Sequence, residues 1–123
     1  MPAMQTYNDC IADMAMKPQY LGEFEYAVLL AILQLDEPYA VPVRELLEER
    51  TGRPVARGAL YTALERLEAK GCLRSRMGDA TDERGGKPRR YFSVTAAGLR
   101  AIKATHDAFA NLTRGLETLL DQP

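Results

Sequence analysis

The stretch from Val55 to Leu67, VARGALYTALERL, with the break Lys70-Gly71 after it, limits the folds open to this chain more than any other segment. Leu60, Leu64 and Leu67 recur at helical spacing and form one apolar stripe, which leaves Gly58, Thr62, Glu65 and Ala69 on the opposite face. That outer face is small and polar. Tyr61 and Arg66 flank it, and Arg57 stands near the helix start, so a narrow surface lies between one aromatic and two cationic side chains. A helix of that cut can enter a DNA groove, although an ordinary amphipathic helix with a solvated outer face would read the same way.

What precedes the helix favours the first reading. From Leu21 to Leu35 the chain is apolar nearly all round, so this first helix needs partners on two faces, its own core and something more. Asp36-Glu37-Pro38 ends it. Pro42 is placed as the first residue of a second helix, where its missing N–H costs nothing, and Gly52 stops that helix. Val43, Leu46 and Leu47 face inward there, while Arg44, Glu45, Glu48 and Glu49 face water. Arg53-Pro54-Val55 then connects to the central helix, which completes a helix-turn-helix.

A hairpin follows. Leu73, Ser75 and Met77 alternate with Arg74 and Arg76 along one short strand, and Arg89 to Val94 alternates again with Phe92 and Val94 on one side. The connection between them is long and polar. Its Arg84 and Lys87, with Arg89 and Arg90 at its end, are placed to reach a phosphate backbone or a minor groove. Charge counted by region agrees with this. Net charge is only −1, yet residues 53 to 90 hold ten Lys or Arg against five Asp or Glu, a balance of +5, and the remainder of the chain balances at −6.

Thr95 caps a last helix predicted to run unbroken from Ala96 to Leu120, roughly 37 Å at 1.5 Å per residue. Ile102, Phe109 and Leu116 repeat every seven residues, Leu112 and Leu119 widen the stripe, and His106 and Thr113 interrupt a second series through Leu99 and Leu120. Such a stripe asks for another helix beside it. The most economical partner is a second copy of the chain, met along this same helix or along the first apolar helix, with Leu29 as its contact.

The fold class expected is therefore mostly α (α+β): a winged helix-turn-helix with a two-stranded wing and a long C-terminal dimerisation helix. Residues 1–18 read as an N-terminal extension, 19–95 as the winged-helix DNA-binding domain, and 96–123 as the dimerisation helix. No apolar run approaches the ~20 residues a membrane span needs, and the N-terminus lacks a secretory pattern, so the expected location is cytoplasmic. Cys10 and Cys72 have no metal-site spacing and read as reduced thiols, Cys72 as a small core residue. No cofactor, metal or catalytic constellation is expected: the only histidine is His106, on the helix seam, and no glycine-rich phosphate loop is present.

Taken together, LGEFEYAVLLAIL, GALYTALERLEAKG and RGGKPRRYFSVTAAG resemble the PadR-like family of bacterial transcriptional regulators, its short members with one C-terminal helix in particular. The resemblance implies a homodimer formed through first and last helices, which binds double-stranded operator DNA, usually as a repressor, and in many members is released by a small-molecule effector. It further implies that Arg57, Gly58, Tyr61, Thr62 and Arg66 meet DNA and that Gly85, Gly86 and Lys87 lie against the backbone. The chain departs from the family pattern in two places: Thr62 stands where proline often follows the tyrosine, and Ala56 where a hydroxyl residue often precedes the helix. It also has no Trp with which to sandwich a planar drug. Tyr26, Tyr91 and Phe109 are the aromatics left to line an effector cleft. The alternative reading is a winged-helix module that docks protein through its apolar first and last helices without specific DNA binding.

Overall fold

The computed structural model describes residues 19–78 and 88–123. Three helices come first: α1 (Glu23–Leu33), α2 (Ala40–Thr51) and α3 (Arg57–Ala69). Strands β1 (Leu73–Met77) and β2 (Arg90–Val94) pair antiparallel, with Leu73 opposite Val94 and Met77 opposite Arg90. Helix α4 (Ala96–Thr113) and one further turn, α5 (Glu117–Leu120), complete the chain. The fold is thus mostly helical with a two-stranded wing and a C-terminal helix, as the sequence leads one to expect. None of the described helices is long and apolar enough to cross a membrane.

Helix α1 is the centre of the core, and it touches α2, α3, β2 and α4. That position accounts for its all-round apolarity. Val28, Leu29, Ala31 and Ile32 are buried within one chain, and Leu29 has no exposed surface at all. Leu29 is therefore a core residue and cannot be a dimer contact, contrary to expectation; Leu33 is half exposed, and Phe24, Tyr26, Ala27 and Leu30 keep part of their surface free on this helix. Leu60, Ala63, Leu64 and Leu67 of α3, Val43 and Leu47 of α2, and Leu73 and Phe92 of the wing pack around α1.

Helix α2 begins two residues before Pro42, with Tyr39 as N-cap. Proline is tolerated there because the third helical N–H also lacks an intrahelical partner. At the other end Gly52 takes a left-handed conformation, φ 69°, and its N–H bonds the carbonyl of Glu48. The wing is tied to the helices at its outer edge, where the Phe92 N–H donates to the carbonyl of Pro38 at 2.9 Å.

Thr95 caps α4 as expected: its hydroxyl accepts from the Gly98 N–H at 3.0 Å and donates to the Gly71 carbonyl. Gly98 is required by close approach, since a Cβ there would stand 2.3 Å from the carbonyl oxygen of Cys72. The expected unbroken helix does not form. Helix α4 stops at Thr113 and Gly115 adopts φ 91°, so Leu116 and Leu119 lie beyond the break and not on one continuous stripe with Ile102 and Phe109. At 18 residues α4 spans about 27 Å.

Candidate nucleic-acid interface

The interface is built from the turn that joins α2 to α3. Val55 in that turn is buried, and its backbone is held from both sides by α2: its N–H donates to Glu48 Oε2 at 2.9 Å and its carbonyl accepts from Arg44 Nε at 2.8 Å. Arg44 and Glu48 therefore do not simply face water, as their helical positions suggest. They fix where α3 starts, and a four-residue spacing on a helix that faces the five-residue connection 52–56 is a weak signal of that in the sequence. At the start of α3, Ala56 offers no side-chain cap, so the first-turn N–H groups are left without one.

With Leu60, Ala63, Leu64 and Leu67 turned into the core, Arg57, Gly58, Tyr61, Thr62, Glu65 and Arg66 are all exposed on the other side of α3. Five of these were predicted to meet DNA. They share one helix face, with the Arg57 guanidinium 6.0 Å from the Tyr61 ring centre. A Cβ at Gly58 would meet nothing within 4 Å, so this point of the face is open to close approach by a partner.

The base of the wing stands beside this face. Arg89 and Arg90 are neighbours in the chain and go to different places. Arg90 pairs with Glu68 on the end of α3, and the other oxygen of Glu68 accepts from Ser75 Oγ at 2.8 Å, so Glu68 fastens both strands to α3. Arg89 lies over the Tyr39 ring at 4.3 Å. Tyr39 meets Tyr91 edge to face at 5.9 Å, and Arg76 lies over Tyr91 at 4.7 Å. Between α2, α3 and the wing base is a cleft of about 410 Å³ that Tyr39, Val41, Arg57, Tyr61, Glu65 and Arg89 help to line.

The basic surplus of this region is thereby sorted. Arg53 pairs with Glu23 at 2.9 Å, Lys70 with Glu25 at 2.7 Å, and Arg90 with Glu68. Among the described residues Arg57, Arg66, Arg74, Arg76 and Arg89 make no ion pair, and all but Arg74 and Arg76 border the α3 face or the cleft. The remaining predicted wing contacts, Arg84, Gly85, Gly86 and Lys87, lie outside the described residues.

The predicted dimer contacts other than Leu29 are on the surface of a single chain. Ile102 is half-buried, and Phe109, Leu112, Leu116 and Leu119 are exposed, Leu112 at 71%. In the single chain His106 is exposed beside Asp107, and Thr105 takes the buried position. The Asp107 carboxyl is held below the usual carboxylate range by hydrogen bonds from Lys103 first and His106 second. Tyr26 packs against the core, Tyr91 is in the wing and Phe109 is on the open end of α4, so the three aromatics occupy separate environments. Among the described residues no group of three His, Cys, Asp or Glu side chains is placed to hold a metal ion.

Helices packed in this order, with the third laid open beside a two-stranded wing, define a winged helix-turn-helix protein. Residues 29–104 match the transcriptional regulator PadR-like family, and the chain belongs to that family. A PadR family transcriptional regulator from Eggerthella lenta DSM 2243 has a similar structure at TM-score 0.61 with 27% identity, the likeness covering 97% of this chain and 99% of that one. A transcriptional regulator from Streptococcus is similar at TM-score 0.63 with 26% identity, covering 80% of this chain and 92% of its own. A PadR-like transcriptional regulator from Bacillus cereus strain ATCC 14579 shares the fold at TM-score 0.64 with 20% identity, over 81% and 93% of the two chains. No curated protein matches the chain.

Proposed function

We propose that this chain is a dimeric, sequence-specific DNA-binding repressor that acts without catalysis in the cytoplasm. The observation that carries the reading is the outer face of α3, where Arg57, Gly58, Tyr61, Thr62 and Arg66 are exposed together beside the wing base while neighbouring cations are paired off. In this reading α3 of each subunit enters the major groove, and two grooves about 34 Å apart on one side of the duplex receive the pair. Tyr61 and Thr62 contact base edges or thymine methyl groups; Arg57, Arg66 and Arg89, with Lys87 of the wing, contact phosphates and secure register. The exposed apolar side chains of the C-terminal region, Phe109, Leu112, Leu116 and Leu119, supply the surface for the second copy.

Footprinting on the DNA upstream of the protein's own gene tests this. Two protected half-sites with a centre-to-centre distance of about ten to eleven base pairs, or a multiple of it, support the reading. Uniform, weak protection that vanishes at moderate salt overturns it in favour of a module that docks protein.

A further inference from the structure

We propose that the cleft under the wing is a seat for one backbone phosphate of the bound DNA, and that Tyr39 is the positioning residue that sets it by holding Arg89. The proposal rests on the DNA-binding reading above and assigns a role to a residue on α2 that the helix-turn-helix pattern alone does not single out.

The geometry around Arg89 supports it. Its guanidinium lies 4.3 Å over the Tyr39 ring, and its Nε is buried with no hydrogen-bond partner among the described residues. One face is thus given to stacking and one donor is sealed off, so the terminal nitrogens are the donors left for an incoming oxygen. Tyr39 is itself steadied by the edge-to-face contact with Tyr91. A guanidinium already ordered in this way loses less rotamer freedom when it binds than a free surface side chain does.

The rest of the cleft has the same polarity. Arg57 lines it from the start of α3, and Ala40 and Val41 line it from the first turn of α2, whose N-cap Tyr39 makes no side-chain capping bond. The uncapped N–H groups of that turn add partial positive charge. Two arginines and a helix N-terminus outweigh the one carboxylate present, Glu65. Arg90, the neighbouring cation, is committed to Glu68 and takes no part.

The test uses the full chain and one operator-bearing duplex, with affinity read by fluorescence anisotropy across a salt series. Arg89→Gln is expected to weaken binding about tenfold and to flatten the plot of log affinity against log salt by about 0.9, the value for one lost phosphate contact. Tyr39→Leu, with Arg89 intact, is expected to flatten the slope by the same amount, Tyr39→Phe to keep the wild-type slope, and the double variant Tyr39→Leu with Arg89→Gln to be no weaker than Arg89→Gln alone. Arg89→Gln leaves α2 untouched, so it reads the seat even if Tyr39→Leu fails to fold. A wild-type slope in Arg89→Gln or in a folded Tyr39→Leu, or additive losses in the double variant, overturns the proposal while the DNA reading stands. A wild-type protein with no preference for the operator overturns both.

Discussion

The hydroxyl of Thr105 accepts the backbone N–H of Leu21 at 3.0 Å in the interior, across 84 positions of sequence. Thr105 is 1% exposed. The bond joins the middle of α4 to the chain just before α1, so one face of the first half of α4, through Gly98, Ala101 and Thr105, is part of the core, while Phe109 and Leu112 of its second half are exposed.

Replacing Thr105 with Val keeps the shape and removes the acceptor, which leaves the Leu21 N–H unpaired. The expected loss is about 1–3 kcal/mol of unfolding free energy, and Thr105→Ser should recover most of it. Denaturant titration of the two variants checks this.

Two glycines should respond oppositely to the same change. Gly98→Ala sets a methyl against the Cys72 carbonyl and the Val94 side chain, so a loss of about 1–3 kcal/mol is expected. Gly58→Ala has open space around it on a helix and should be neutral or stabilising by up to about 1 kcal/mol. If the Gly58 face lies against DNA, that same variant loses operator affinity despite its stability. Paired measurements of melting and operator binding separate the two effects.

The exposed apolar end of α4 predicts self-association. Phe109→Glu or Leu112→Glu puts charge on side chains that are 60% and 71% exposed in one chain, so the fold of the protomer should be unchanged. Sedimentation at micromolar concentration should then show a dimer for the wild type and a monomer for either variant, with operator affinity lost in step.

Burial pushes the Cys72 thiol above its ordinary range; Lys70 acts the other way and Glu25 adds to the rise. A folded-state value above the unfolded one means that this group's stabilisation is complete below the ordinary thiol value, about 8.5, and is lost as pH rises through the folded value. Wild-type stability should thus decline on the alkaline side, and the decline should shrink in Cys72→Ala. Unfolding measured at about pH 7 and about pH 10 gives the comparison.

Much of this architecture is legible in the sequence because local chemistry sets it. The leucine stripe of α3, the Gly52 stop, the alternation of Phe92 and Val94 and the Thr95 cap each act within a few residues, and the outer face of α3 follows from the stripe. What escaped depends on contacts distant in sequence. Leu29 looked like an outward residue because a helix apolar on all sides does not reveal how many neighbours its own chain supplies. Arg44, Glu48, Tyr39 and Glu68 look like ordinary surface residues until the turn and the wing arrive beside them. Gly115 is the exception: its left-handed φ of 91° ends the helix locally, with nothing packed around it, a stop that the residue type signals and the heptad spacing overrides on paper.

The central claim is that the α3 face reads DNA sequence. Its most direct test is the ratio of affinities for the duplex upstream of the protein's own gene and for the same duplex scrambled, measured at about 150 mM salt with the wild type and with Thr62→Ala. The account predicts a preference of at least about a thousandfold for the wild type, which narrows by about ten- to a hundredfold in Thr62→Ala while the salt slope holds. Equal affinity for the two duplexes would contradict it.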